Sequence, residues 1–393
     1  MKRGLLREYL DDPRELTARC LERIRNCDGE IQAWVEVSLQ PALREGPLSG
    51  IPFGAKDIFE TCGMATEYGS PIYSGRKGSG EAALVTALRE RGAILLGKTQ
   101  TTAFAYYDPA PTRNPRDLAR TPGGSSSGSA AAVAAGMAAF ALGSQTQGSV
   151  IRPASYCRVA GFKSTYGLLP LDGVLAFAPS LDTAGLFTQT ADDMALLWER
   201  LGYLVAGAPA VRLAKTRLGI PDGVEERLRA YGWPIKEIEL PFDFDEVLRA
   251  VKTVNAYEGS RTHEARWREF GDRIGAKLAL LVCEGLSVAQ GRYEDALEFL
   301  RLTRARMISF YAKYPVVLTP AATGPPPMGL ASTGDPRMNA PWTGLHGPAF
   351  SVPCGEIGLQ LTAAPGADAL LVATAAAIES VPGILGECPI PLR

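Results

Sequence analysis

Histidine is nearly missing from this 393-residue sequence: only His263 and His346 occur. A Ser-His-Asp hydrolase or a histidine-built metal site would have to draw on one or both. His263 falls in the run Arg261-Thr262-His263-Glu264, which reads as an exposed helix face and a solvated residue. The seven cysteines contain no CxxC pair. An odd, scattered set without metal spacing favours reduced thiols in the cytoplasm. A net charge of −1 gives no footing for nucleic acid or an anionic membrane. The longest apolar stretch, residues 130–142, is too short and too rich in Ala and Gly to span a bilayer. Charges in MKRGLLREYLDDPREL arrive too early for a secretory signal, so none is expected. What is present is ordinary for a globular chain: 46% hydrophobic and 21% charged residues. The length suits one large domain or two ordinary ones, with a core of useful size.

Hydrophobic spacing predicts a helix over 13–26, with Asp12 as cap, Pro13 in the first turn and Leu16, Cys20, Leu21 and Ile24 on one face. Strands are expected at 33–38, at 50–55 and at 93–96, with a helix over 81–91. Further on come a helix over 188–206, a strand at 217–221 and mostly helix over 243–312. The tail reads as strands at 316–318, 350–352 and 359–361, then a helix over 366–380. Recurring helix and strand point to an α/β layered sheet. The Gly/Pro-rich stretch 321–337 is expected to be a long loop over one face, near a site mouth.

Residues 121–129, TPGGSSSGS, have the composition of a flexible linker. They run directly into Ala130–Ala135, a strong helix former, and then into the apolar strand 138–142. A Gly/Ser segment between core elements is a structured loop, and such loops carry function.

Residues 122–167, PGGSSSGSAAAVAAGMAAFALGSQTQGSVIRPASYCRVAGFKSTYG, resemble the amidase signature. GIPFGAKD at 50–57, GAILLGKT at 92–99, Asn114-Pro115 and Arg120-Thr121-Pro122 match further blocks of that family. So do SLDTAG at 180–185, GPAFSVPCG at 347–355 and GLQL at 358–361. The blocks occur in order over nearly the whole chain, which makes the signal strong. The resemblance implies a single-domain amidase signature fold over residues 1–393, with a signature core about 50–190. The fold class expected is α/β: a central twisted mixed, mostly parallel sheet flanked by helices. It also implies a Ser-Ser-Lys triad of Lys56, bridging Ser125 and nucleophile Ser149, with a cis peptide at Ser125 and no cofactor or metal.

The residue types suit that chemistry. A serine hydroxyl needs an adjacent base, and a neutral lysine serves where no histidine is at hand. Lys56 must then be buried, because burial lowers an amine pKa; Ile51, Pro52, Phe53 and Ala55 beside it are apolar. The N–H groups of Thr146, Gln147, Gly148 and Ser149 are the expected oxyanion hole, worth about 3–4 kcal/mol per donor. Gly124 is placed at the substrate, and Ser144 supports the bridging serine or packs the loop. Asp182 reads as a turn holder, and His346 as structural, with substrate contact as the alternative.

The sequence departs from the family at Ser127, Gln147 and Arg158, where glycine is usual, and at Ser164, where proline is. Arg152 lies three residues beyond Ser149 rather than two, which resembles malonamidase-type members, where this arginine grips a substrate carboxylate. A brace for the loop is the competing role. The expected activity is hydrolysis of a small amide C–N bond through an acyl-enzyme, with a carboxylate-bearing monoamide as substrate. Two alternatives stand beside it: a glutaminase subunit of a tRNA-dependent amidotransferase, and an inactive amidase-like binding protein. Expected partners are a small-molecule amide and a second copy of the chain as a homodimer, with no nucleic acid and no membrane.

Overall fold

The first long helix, Pro13–Ile31, begins where the sequence places it: the Asp12 carboxylate accepts the Glu15 N–H at 3.2 Å. In the computed structural model, residues 4–8 and 12–385 are described. The described residues hold eleven strands, beginning with β1 (Trp34–Gln40), β2 (Pro52–Lys56), β3 (Ile94–Thr99), β4 (Phe140–Gln145), β5 (Ala160–Lys163) and β6 (Thr183–Thr188). Then come β7 (Leu213–Lys215), β8 (Ile235–Glu237), β9 (Val316–Pro320), β10 (Ala349–Val352) and β11 (Leu359–Thr362). They form one sheet in the order β1-β3-β2-β4-β6-β5-β10-β11-β9-β7-β8. This is the expected mixed sheet flanked by helices.

The parallel pairing is concentrated in two blocks, β3-β2-β4 and β9-β7-β8. The middle, β4-β6-β5-β10-β11-β9, is antiparallel at every junction, so the parallel share is smaller than expected. The reason is local. A short turn joins β10 to β11, and such a connection can only reverse the chain. β2, β4, β5, β6, β10 and β11 are buried at every residue, because helices cover both faces. Phe53 of β2 stacks on Phe140 of β4 at 5.2 Å inside the main apolar cluster.

The expected strand at 217–221 is absent. β7 lies just before it, at Leu213–Lys215, and pairs with β9. Thr216 ends the strand by folding the chain back: its carbonyl accepts from Gly219 N–H and its hydroxyl from Leu218 N–H. The region 243–312 is helical as expected, in the segments Phe244–Phe270, Ala276–Gly285 and Gln290–Lys313. His263 corrects the expectation of an exposed face, because it is fully buried. Its helix lays Asn255, Gly259 and His263, spaced at four residues, on one inward stripe. Residues 321–337 hold neither helix nor strand. Among the described residues, no helix is long and apolar enough to cross a membrane.

Candidate active site

β2 ends at Lys56, and its position between two parallel neighbours removes the side chain wholly from solvent. The Lys56 Nζ donates to Ser125 Oγ at 2.7 Å and to Ser144 Oγ at 2.9 Å. Burial holds the Lys56 pKa down at about 7, with the Asp182 charge pulling it partly back up. Ser125 stands just before the helix Ser127–Ala134, and the Gly124–Ser125 peptide is cis. Ser144 thus shares the amine with Ser125, and among the described residues no direct hydrogen bond joins the two serines.

Ser149 heads the turn between β4 and the helix Ile151–Cys157. It shares a cavity of about 20 Å³, room for a single water, with Ser125, Gln147, Gly148, Arg152 and Asn255. Among the described residues no hydrogen bond joins Ser149 to Ser125, so this link is open in the unliganded site. Among the same residues, no backbone acceptor takes the N–H of Gln147, Gly148 or Ser149. Those donors remain free to meet a developing oxyanion.

The loop is held by residues that sequence reasoning missed. Gln145 Oε1 accepts the N–H groups of Val150 and Ile151 at 2.9 and 3.0 Å, and its Nε2 donates to Thr343 Oγ1 at 2.9 Å. Thr343 in turn donates to the Gln147 carbonyl at 2.9 Å. On the other side Thr146 Oγ1 donates to Asp182 at 2.6 Å. The other Asp182 oxygen accepts from Phe177 and Ala178 N–H, so Asp182 holds a turn as expected. Burial raises its pKa to about 6.

Arg152 is 2% exposed and makes no ion pair among the described residues. Its Nε donates to Thr333 O at 2.7 Å and its Nη2 to Gly124 O at 2.8 Å, while among the described residues Nη1 has no partner. Gly124 thus spends its carbonyl on Arg152 and does not line the cavity. A Cβ on Gly148 would lie 2.6 Å from Asn339 Oδ1 and 2.9 Å from Arg152 Nη1, so a larger residue there would displace both side chains.

The two histidines lie elsewhere. His346 stacks on Tyr166 at 4.1 Å and bonds Ser180 O through Nε2 at 2.9 Å, which is the structural role expected. Burial, with Arg304 nearby, lowers its pKa to about 4. His263 packs against Phe104 and Phe177, and burial with Arg266 pushes its pKa to about 3. The departures at Ser127 and Arg158 are accommodated. Ser127 Oγ donates to Gly123 O at 2.8 Å, and Arg158 takes the left-handed C-cap (φ 54°) that explains the usual glycine. Among the described residues, no group of three His, Cys, Asp or Glu side chains is placed to hold a metal.

Comparison with known proteins agrees with this geometry. The family model described as Amidase matches residues 15–202. The glutamyl-tRNA(Gln) amidotransferase A-subunit of Alkaliphilus metalliredigens is 30% identical over 463 aligned positions, covering 94% of this chain and 93% of the relative. A crystal structure of amidase superposes with a TM-score of 0.83 at 25% identity, covering 96% of this chain and 99% of that one. A chain of a vestigial complex, described as revealing the origins of an s-triazine catabolic enzyme, gives 0.84 at 25% identity, with 95% of each chain covered.

Proposed function

The chain belongs to the amidase family and is a hydrolase of amide carbon–nitrogen bonds, and we propose that it works through an acyl-enzyme formed on Ser149. The observation that carries this reading is the buried Lys56, its pKa near 7, in hydrogen-bond contact with Ser125 beside the Ser149 cavity. Neutral Lys56 takes the Ser125 proton as Ser125 takes that of Ser149, and Ser149 Oγ attacks the amide carbon. The oxyanion is met by the free N–H groups of Gln147, Gly148 and Ser149. The proton returns through Ser125 to the leaving nitrogen, ammonia or an amine departs, and water cleaves the ester by the same relay. A fluorophosphonate probe followed by peptide mass spectrometry tests this: an adduct is expected on Ser149. An adduct on a cysteine instead would remove the mechanism.

The substrate reading is a small amide carrying a carboxylate, the malonamidase-type resemblance. Its support is Arg152, a buried guanidinium on the cavity wall with no carboxylate partner among the described residues and one unpaired nitrogen. A second reading, the glutaminase component of an amidotransferase, is favoured by the similarity to the Alkaliphilus relative over nearly its full length. Glutamine turnover only on adding partner proteins would select it. An ammonia-release screen over acidic and neutral small amides, without partners, separates the two. We also place the enzyme in the cytoplasm, in keeping with the unpaired cysteines among the described residues.

A further inference from the structure

We propose that Gln147 and Tyr107 form a size filter over Ser149, admitting short amides and turning away longer ones. The proposal deepens the reading of Ser149 as nucleophile and rests on it. The cavity at Ser149 is narrow, with room for about one water, so an amide entering it presses on its walls. Gln147 is the one long side chain in the run Thr146–Ser149. Tyr107 Oη donates to Gln147 Oε1 across 3.4 Å, a distance long for a hydroxyl bond and therefore readily given up.

Beyond Tyr107 lies a second cavity of about 320 Å³ that shares Tyr106, Tyr107 and Thr333 with the first. Leu280 on its wall is 59% exposed, so this cavity faces solvent, and we take it as the approach to the site. Its other walls combine Ala256 and Leu281, which suit an aliphatic chain, with the charged Lys277 and Glu284. Of the shared residues, Tyr106 is fixed by its stack on Phe177 at 5.1 Å. The Tyr107 backbone is fixed too, because Lys277 Nζ donates to its carbonyl at 3.0 Å. Among the described residues, the Tyr107 side chain makes an edge contact with Tyr106, the long bond to Gln147 and an electrostatic contact with Arg152, but no short hydrogen bond. It is the element that can turn outward, and Gln147 is what a longer substrate then meets.

The test is kcat/KM along two series of primary amides of rising chain length. One series is neutral (acetamide to hexanamide) and the other acidic (malonamate to adipamate), so that a failed carboxylate reading shows separately. Wild type should lose activity steeply along each series, since each surplus methylene in a closed pocket costs about tenfold or more. Gln147→Gly should raise the long-to-short ratio by about tenfold or more. Tyr107→Phe keeps the ring, removes the hydroxyl and should move the ratio the same way by less. An unchanged ratio in Gln147→Gly overturns the filter. Labelling by short- and long-chain alkyl fluorophosphonates gives a second readout that needs no turnover. The same shift of ratio supports the filter. Equal chain-length dependence in wild type and variant removes the filter alone, and no labelling of Ser149 by either probe removes the nucleophile and the filter together.

Discussion

Lys56 and Lys98 sit near the ends of the neighbouring parallel strands β2 and β3 and point to opposite faces of the sheet, because Lys98 pairs in register with Ala55. Both are fully buried. Lys98 has a carboxylate partner, Asp57 at 3.4 Å, and donates to Thr61 and Thr66 at 2.7 Å each. Lys56 has two serine hydroxyls and no carboxylate within ion-pair range among the described residues. Asp57, its sequence neighbour, is thus spent on the other lysine. Of these two amines, Lys56 is the one that burial brings down to about 7, against about 8 for Lys98 with its carboxylate partner.

Activity should therefore fall on acidification with a midpoint near 7. The folded-state pKa of Lys56 is lowered to about 7 by burial, so the free base predominates above that pH and disappears below it. A kcat/KM profile across the neutral range and a few units to either side reads this limb directly. Lys56→Ala should lose most activity and flatten the limb. A variant that keeps the wild-type profile would show that another group is the base.

Ser149→Ala should abolish turnover and leave the thermal midpoint within about 2 °C of wild type, since the residue sits in a turn and carries little of the core. Differential scanning fluorimetry beside an ammonia assay separates loss of chemistry from loss of fold.

Arg152→Gln should cut kcat/KM for an acidic monoamide by about a hundredfold, and for a neutral amide of similar size far less. The guanidinium holds the carbonyls of Thr333 and Gly124, so part of the loss will be common to both substrates. The ratio between the two substrates is the diagnostic. Equal losses would make Arg152 a brace alone.

Thr343→Val tests the support of the loop. It removes the hydroxyl that links Gln145 Nε2 to the Gln147 carbonyl and leaves both unpaired. Stability should drop by about 1–3 kcal/mol in chemical denaturation. A loosened oxyanion loop should lower kcat by up to about a hundredfold with KM nearly unchanged. A KM effect without a kcat effect would place Thr343 in binding instead.

Gly259→Ala probes the helix behind the pocket. A Cβ there would lie 2.7 Å from the Phe177 ring, which is confined between Tyr106 and His263. The overpacking should cost about 1–3 kcal/mol, read by urea unfolding.

The placement of Lys56 beside Ser125, and of Ser125 on the Ser149 cavity, was legible because each lies in a motif whose neighbours are also its structural neighbours. The Gly/Ser run leads into the helix that carries it, and the apolar run before Lys56 is the buried strand β2. The supports were not legible. Gln145 and Thr343 are 198 residues apart, and no local pattern announces their bond. His263 looked solvated because charged residues surround it in sequence, yet the helix turns only that stripe toward Phe104 and Phe177. β7 was misplaced because an apolar pair, Leu218 and Ile220, reads more like a strand than the three residues that do pair. The antiparallel centre was hidden as well, since periodicity reports burial on both faces but not strand direction.

The guanidinium brace of Arg152 ends on Thr333, and the tie on the Gln147 carbonyl comes from Thr343. Every side chain proposed for bond cleavage lies before residue 150, while these two ties come from residues much later in the sequence. On the ribosome, the emerging polypeptide would carry Ser149 through much of its synthesis without these two ties. On the proposed mechanism, a product that stops before Thr333 would lack both ties and should be inert toward the amides around it.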